Sequence, residues 1–386
     1  MDAGRGRLKV ILSIDSVKYP LTGIGHYTCE LANQLIRQAD IERVQFMRGT
    51  RLVDSLPEIS SVPNTMNGVR SRLLKSRLAV SLYQLTVPRM KAWALRGFED
   101  HVFHGPNFYL PSFNGSSLAT LHDLSPFLWS ECHPPERVRY MCSEIELSLR
   151  RASMLITDSE FTRQEVSAYF SWPIEKIRAV PLASGSGFFP RSPESLQVVL
   201  QKYALVDGGY SLFLGTIEPR KNLQVLLDAY EFLPASLRKR WPLILAGYSG
   251  WHSETIFSRI EEGMRSGWVR YLGYLKPDDL PFLMAGARLF IFPSLYEGFG
   301  LPVLEAMASG TPVVCSNSSS LPEVAGDAAL MFDAADVKTL GQLIVKGLED
   351  DGWRASAREL GIARAAKFSW SRCARETIDV YRLVQC

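Results

Sequence analysis

The chain has 386 residues, more than a single hydrophobic core usually serves, so we expect two domains. Hydrophobic residues make up 46% of the chain and charged residues 22%, as in an ordinary globular protein, and a net charge of +3 does not indicate nucleic-acid binding. The six cysteines lack the spacing of a zinc site, and no apolar stretch is long enough to span a bilayer. These features predict a cytoplasmic protein, at most peripheral at the inner face of the cytoplasmic membrane.

Short apolar runs alternate with amphipathic segments along the chain, the pattern of a doubly wound α/β protein. In the first half, helices are predicted over Thr28–Arg37 and Arg137–Arg151, and the predicted strands are Leu8–Ile14, His101–Phe103, Ser117–Leu121, Met154–Thr157 and Lys176–Val180. In the second half, the predicted strands are Ser211–Leu214, Leu243–Ala246, Val269–Leu272, Leu289–Phe292 and Pro312–Cys315. A Gly-, Ser- and Pro-rich linker over Ala183–Pro193 divides the chain into domains of residues 1–190 and 191–365, with a C-terminal helix in 366–386 that returns toward the first domain.

A glycine-containing loop follows the first predicted strand and its polar neighbour Asp15. Gly23 and Gly25 would let the backbone approach a ligand closely. The third glycine of the dinucleotide fingerprint is missing, because Thr28 stands in its place. The loop therefore argues against a dehydrogenase.

A basic segment, residues 59–98, contains no acidic residue. Leu74, Leu78 and Leu82 recur at steps of four within it, which predicts an amphipathic helix. The helix either packs on its own domain or attaches to an anionic membrane surface. The basic residues of its core are Arg70, Arg72, Lys75 and Arg77.

Two histidines stand at predicted strand ends, where ligands bind in parallel sheets. His104 follows one strand, and His122, with Asp123 beside it, follows the next. A histidine in such a place is often structural, so a core role and a ligand-binding role both stay open.

A basic pair, Arg220 and Lys221, follows the strand Ser211–Leu214 and precedes the amphipathic helix Leu223–Phe232. Cations are unfavourable at a helix N-terminus unless an anion binds there. Guanidinium and ammonium groups suit a diphosphate leaving group, whose negative charge grows in the transition state. The pair predicts an anion site, with a solvated turn as the alternative.

Two carboxylates, Glu297 and Glu305, flank a turn and helix start after the strand Leu289–Phe292. Pro302 suits the first turn of that helix. The backbone N–H groups at its mouth would bind a phosphate or sugar hydroxyls, and they belong to Phe299, Gly300 and Leu301. The alternative is that Glu305 complements the helix dipole and Glu297 is a solvated loop residue.

These runs resemble the family 4 retaining glycosyltransferases of GT-B fold, in particular mannosyltransferase-like members of bacterial polysaccharide and O-antigen synthesis. The spacing of Glu297 and Glu305 resembles the E-x7-E signature, Gly215–Asn222 resembles the G-T-x-x-P-R-K-N segment, and His122–Leu124 resembles the H-D-L segment. His104–Asn107 is similar to the H-x-P-N run near the acceptor. Ser320–Glu323 is similar to the S-x-P-E turn, for which a structural and a functional role are both open.

The resemblance implies the role of each site residue. Glu305 would bind the ribose, Glu297 and His122 the donor sugar, and Arg220 with Lys221 the diphosphate, while Asp123 would orient the His122 ring. Gly23 and Gly25 would lie against the donor phosphates and sugar, and Tyr274 and Leu275 would meet the nucleobase. Thr216 departs from the pattern, because many relatives have an arginine directly after the glycine.

The predicted function is retaining transfer of a hexose to a glycan or lipid-linked acceptor, without a cofactor, a metal or a nucleic-acid partner. GDP-mannose or a GDP-deoxyhexose is the leading donor, and UDP- and dTDP-sugars stay open. The rival hypotheses are a non-catalytic nucleotide-sugar-binding subunit and a GT-B epimerase of nucleotide sugars.

Overall fold

The computed structural model describes residues 6–18, 21–57 and 77–385. A first sheet contains seven strands, β1 Leu8–Ser13, β2 Ile41–Arg48, β3 Arg51–Val53, β4 Val102–Gly105, β5 Ser117–Leu121, β6 Met154–Thr157 and β7 Ile177–Ala179. Their order is β3-β2-β1-β4-β5-β6-β7, and every pairing is parallel except that of the edge strand β3 with β2.

Helices connect the strands of this sheet. They are α1 Gly23–Leu35, α2 Arg77–Ala94, α3 Ser125–Leu128, α4 Pro135–Arg151 and α5 Glu160–Phe170. Helix α2 covers the C-terminal part of the predicted basic segment 59–98. Three of the four basic residues named for its core, Arg70, Arg72 and Lys75, lie outside the described residues.

A second sheet contains six strands, β8 Ser211–Leu214, β9 Leu243–Ala246, β10 Val269–Tyr271, β11 Leu289–Phe292, β12 Val313–Ser316 and β13 Ala329–Phe332. Their order is β10-β9-β8-β11-β12-β13, with parallel pairing throughout. The associated helices are α6 Pro193–Lys202, α7 Leu223–Glu231, α8 Ala235–Arg240, α9 Glu254–Arg265, α10 Leu280–Ala285, α11 Leu301–Ala308, α12 Leu321–Ala325, α13 Val337–Glu349 and α14 Asp351–Ala365.

Both sheets have the doubly wound topology that the sequence predicted. In each sheet the strand order reverses once, between β1 and β4 and between β8 and β11. The loops that leave the carboxyl ends of these strands diverge and open a crevice, where ligands of such sheets bind. The basic pair follows β8 and Glu297 follows β11, so both belong to one switch point.

The last helix, α15 Trp370–Gln385, leaves the second sheet's region and packs against α1 and strand β4 of the first. The Trp370 indole donates to the Ser184 carbonyl at 3.1 Å, and Arg382 forms an ion pair with Asp40. The helix thereby joins the end of the chain to its first half. None of the helices in the described ranges has the length and hydrophobicity that crossing a bilayer demands.

His104 belongs to this packing and not to an acceptor site. Its side chain is fully buried, with Nδ1 2.7 Å from the Tyr381 hydroxyl of α15 and Nε2 2.8 Å from the Thr120 hydroxyl. Burial, with a smaller effect of His122, lowers the pKa of His104 to about 3, so the ring is neutral. The expectation from the H-x-P-N run is therefore wrong for this residue, because a side chain with no exposed surface presents no atom to an acceptor.

We expect Tyr381→Phe to lower the free energy of unfolding by about 1–3 kcal/mol, because it leaves a buried His104 nitrogen without a partner. Urea denaturation followed by circular dichroism measures the loss. The control is Tyr169→Phe, since Tyr169 is 48% exposed and its ring contacts survive the change. A loss no larger than that of the control would show that the His104–Tyr381 bond does not hold α15 in place.

Candidate active site

The loops after β8 and β11 are bound to each other at the switch point of the second sheet. The chain forms a single 3-10 turn over Pro219–Lys221 after β8, and the Arg220 carbonyl accepts from the Leu295 N–H at 2.9 Å. Asn222 then adopts a left-handed conformation with φ 57°, which asparagine tolerates better than most residues. Its side-chain amide donates to the carbonyls of Pro293 and Ala334 at 3.0 and 2.8 Å, which fixes the turn.

A buried cluster of charges occupies this junction. Lys221 Nζ donates to Glu297 Oε1 at 2.5 Å, and Arg220 reaches Glu297 Oε2 at 3.4 Å and Glu218 Oε1 at 2.8 Å. Burial disfavours the ionised form of Glu297, but Lys221 and Arg220 outweigh it and hold the pKa of its carboxyl below the ordinary value. Burial also lowers the pKa of Lys221, although Glu297 opposes that shift. The site thus holds an ionised carboxylate between two cations.

Glu305 lies one turn inside helix α11, and the described residues provide it with no hydrogen-bond or ion-pair partner. Burial raises the pKa of its carboxyl to about 8. The helix mouth beside it forms at Gly300, whose φ of 101° favours glycine and where a Cβ would come within 2.5 Å of the Leu321 side chain. The N–H groups of Phe299, Gly300 and Leu301 likewise have no protein acceptor in the described part of the chain. This arrangement suits a ligand that brings both hydroxyl donors and anionic oxygens.

An aromatic pair stands beyond the carboxyl ends of the neighbouring strands. The Tyr274 ring, after β10, stacks on the Tyr248 ring, after β9, with centroids 4.5 Å apart and planes at 20°. Both rings are exposed, at 43% and 49%, while Leu275 is buried. The exposed ring faces offer a surface on which a flat base can stack. The sequence pointed to Tyr274 but not to Tyr248, which lies beside it because β9 pairs with β10.

His122 is held by a residue that the sequence did not identify. Its Nδ1 lies 2.7 Å from Asp158 Oδ2, directly after β6, and its Nε2 lies 3.0 Å from the Pro106 carbonyl. Burial disfavours the charged ring, but Asp158 and the Pro106 carbonyl outweigh it and raise the pKa of His122. Asp123 instead accepts from the Ser125 N–H at 2.9 Å. Orientation of the ring therefore falls to Asp158, and the expectation for Asp123 was wrong.

The glycine loop forms the N-terminus of α1 beside His122. Thr22 caps the helix by accepting from the Gly25 N–H at 3.3 Å, and a Cβ on Gly25 would come within 3.0 Å of the Ser16 carbonyl. Gly23 is exposed, with open space where a side chain would stand. Tyr27, one turn along, meets the His122 ring edge-on with centroids 5.1 Å apart.

The two halves of the site touch at Gly298. A Cβ on this glycine would lie 1.8 Å from the His122 carbonyl, so any side chain here would force the loops apart. The close approach places the backbone of His122, after β5, against the backbone of Gly298, the residue next to Glu297. The structure thus gathers Glu297, Arg220, Lys221 and His122 at one interface between the two sheets.

Comparison with known proteins identifies the family to which the chain belongs. The model of the glycosyl transferases group 1 family matches residues 201–364. The chain is 45% identical over 381 residues to an Escherichia coli protein named O-antigen chain mannosyltransferase B, covering 98% of this chain and all of that protein. The chain belongs to the group 1 glycosyltransferases.

Two further comparisons are with a partly matching relative and with a solved structure of the same fold. A Mycolicibacterium hassiacum MMP alpha-(1->4)-mannosyltransferase is 40% identical over 236 residues, which cover 60% of this chain and 54% of that protein. The crystal structure of Anabaena HepE in complex with UDP-glucose superposes with a TM-score of 0.69 at 17% identity, covering 97% of this chain and 99% of that one. The fold of this glycosyltransferase is therefore GT-B, as the sequence predicted.

We expect Asp158→Asn to destabilise the glycosyltransferase in a pH-dependent way. Because the folded pKa of His122 is raised, the protonated ring contributes stability that is complete below the unfolded pKa of about 6.5 and is lost as the pH rises through the folded value. The variant leaves the buried ring without its counter-ion, so the free energy of unfolding at pH 6 should fall by about 3 kcal/mol. The deficit should shrink toward pH 9, as urea denaturation at several pH values will show. A deficit that does not depend on pH would mean that His122 is neutral.

Proposed function

We propose that the enzyme transfers mannose from GDP-mannose to a glycan or lipid-linked acceptor, with retention at the anomeric carbon. The observation that carries the proposal is the cluster of Glu297, Lys221 and Arg220, together with the close contact of the neighbouring Gly298 with the His122 backbone. The name of the 45% identical relative supports mannose as the sugar and an O-antigen-type glycan as the acceptor. A GDP-deoxyhexose, UDP- and dTDP-sugars are the donors that the test below separates.

In the proposed complex the donor diphosphate lies between the basic pair and the mouth of α11. Lys221 and Arg220 would stabilise the negative charge that grows on the leaving phosphate oxygen. The N–H groups of Phe299, Gly300 and Leu301, to which no described residue offers an acceptor, would bind other phosphate oxygens. Glu305 would accept from the ribose hydroxyls, and Tyr248 and Tyr274 would stack on the base.

The sugar then lies between Glu297 and His122. A carboxylate accepts up to four hydrogen bonds, so Glu297 can hold sugar hydroxyls while it remains paired with Lys221. We propose a front-face mechanism, in which the acceptor attacks from the side that the diphosphate leaves. The leaving phosphate would take the acceptor proton, and the Glu297 carboxylate would stabilise positive charge at the anomeric carbon.

We expect GDP to bind more tightly than UDP or dTDP, and to bind more tightly as the pH rises. At pH 7 most Glu305 is protonated, since the pKa of the free site is about 8, whereas the ionised carboxylate is the better ribose acceptor. GDP affinity should therefore increase several-fold between pH 7 and 8.5. Calorimetry and thermal shift measure this, because a ligand at about 100 times its Kd adds about 2.7 kcal/mol of stability.

Two matched variants control this experiment. Glu305→Gln should weaken GDP binding and abolish its pH dependence, while Glu297→Gln should bind GDP normally and lose turnover by about 10²-fold. Tighter binding of UDP than GDP would overturn the donor assignment. Normal turnover of Glu297→Gln would overturn the mechanism.

We further propose that the first domain attaches to an anionic membrane surface, where a lipid-linked acceptor would be found. A groove of about 650 Å³ between α2 and the β2–β3 turn is lined by Trp93, Met90 and three arginines, Arg51, Arg89 and Arg96. Trp93 is 71% and Met90 52% exposed. Exposed aromatic and basic side chains together are typical of interfacial membrane contacts.

We expect the enzyme to co-sediment with phosphatidylglycerol vesicles at low salt and to be released at high salt, because salt screens the arginines. Changing Arg51, Arg89 and Arg96 to Gln should abolish sedimentation, and Trp93→Ala should weaken it. The control changes three exposed basic residues of the second half, Arg265, Lys338 and Lys346, to Gln. Equal loss in both triple variants, or no binding at low salt, would contradict membrane attachment.

A further inference from the structure

The turn Ser320–Glu323, left open by the sequence, contacts the opposite half of the molecule. Glu323 extends its carboxylate from α12 to the N-terminus of α5, where both oxygens lie 2.9 Å from the Glu160 N–H and one lies 3.2 Å from the Phe161 N–H. The N–H groups at a helix N-terminus have no partner within the helix and carry partial positive charge. A carboxylate from one sheet's region therefore caps a helix of the other.

A second contact joins the same corner to the Glu297 loop. Ser159, the N-cap residue of α5, donates its hydroxyl to the Gly298 carbonyl at 2.6 Å, and Thr162 donates to the same carbonyl at 3.0 Å. Both hydroxyl-bearing side chains are fully buried. Water therefore has little access to these bonds, and a hydrogen bond in such low-dielectric surroundings is electrostatically stronger than one in water.

The contacts of Glu323 with α5 and of Ser159 and Thr162 with Gly298 form a joint between the two halves. On each side of this joint, a site residue lies next to the contacting residues. On the first side, Ser159 follows Asp158, which holds His122. On the second side, Ser319 accepts from the Glu297 N–H and Ser320 donates to the Glu297 carbonyl, each at 2.8 Å, just before Glu323 in the chain. The corner between β6 and α5 thus holds the His122 side chain, and the turn that this corner contacts holds the Glu297 backbone.

We propose that Glu323 and Ser159 are positioning residues, which lock the corner between β6 and α5 onto the Glu297 loop and so set the separation of Glu297 from His122. The inference rests on the proposed function, in which Glu297 and His122 flank the transferred sugar. Neither Glu323 nor Ser159 needs to touch the nucleotide. Loss of Glu323 or Ser159 therefore changes the separation between the two halves of the site and leaves the structure within each half intact.

The test compares Glu323→Ala with Glu323→Gln and with Asp327→Ala, which removes an exposed carboxylate on the same segment. Glu323→Ala should lower kcat at least tenfold, keep GDP affinity within twofold of the wild type, and raise the radius of gyration measured by solution scattering. Glu323→Gln should recover part of kcat, because its amide oxygen still accepts from an N–H group. Asp327→Ala should behave as the wild type. Ser159→Ala should also lower kcat, and the double variant should lose less than the product of the two single losses, because both residues act through one joint.

Three outcomes would overturn the proposal. One is wild-type kcat in Glu323→Ala despite a lower melting temperature, which would mean a purely structural cap. Another is a loss of GDP affinity as large as the loss of kcat, which would mean a defect within the nucleotide half. The third is fully multiplicative losses in the double variant. If Glu297→Gln kept full turnover while Glu323→Ala lost it with an expanded shape, the proposed role of Glu297 would fail and the joint would stand.

Discussion

The buried pairing of Glu297 with Lys221 and Arg220 is the constraint on which the arrangement of the site depends. Charges removed from water are tolerated when each finds a partner of opposite sign at close range, and a single unpaired member is costly. The pairing therefore requires the loops after β8 and β11 to meet. The left-handed Asn222 and its two bonds to neighbouring carbonyls make that meeting compatible with the backbone.

The contact between these two loops also determines which groups of the first half are held against the second. Once the Glu297 loop is fixed, Gly298 presents its carbonyl to Ser159 and Thr162 and its bare Cα to the His122 carbonyl. Asp158 then holds the His122 ring on the other side of the contact. Helix α15 reinforces the joining of the two halves through Tyr381 and His104. Hydrogen bonds of largely buried groups form each of these links.

Much of the second sheet could be predicted because its strands are short apolar runs buried on both faces. Ser211–Leu214, Leu243–Ala246 and Leu289–Phe292 are strands in the structure with those bounds. Strand β2 was missed because it carries exposed charged residues, such as Glu42 and Arg43, that hide its period. Strand β13, which is half-buried over most of its length, was missed as well.

Local sequence also indicated which loops carry the site. It did not indicate which residues their side chains would bond to. Asp158 lies 36 positions from His122 and reaches it because β6 pairs with β5. Glu323 reaches Glu160 across 163 positions and between two sheets. Contacts between residues so far apart in the chain leave no periodic pattern that a single sequence can show. Such pairs follow from tertiary packing, and prediction from residue patterns stops there.

The distribution of charge in the site argues for stabilisation that grows during the reaction. Lys221 and Arg220 already have carboxylate partners, so their attraction for a bound donor is partly offset before any bond breaks. In the proposed complex, the N–H groups at the mouth of α11, which have no protein acceptor within the described residues, would bind the diphosphate in the ground state. On the proposed mechanism, charge that develops on the leaving oxygen then strengthens its attraction to the two cations beyond what the bound donor feels. An interaction that is stronger in the transition state than in the ground state is what accelerates a reaction. The proposed mechanism also requires Glu297 to stay ionised beside the sugar, and the same two cations favour this by holding its pKa low.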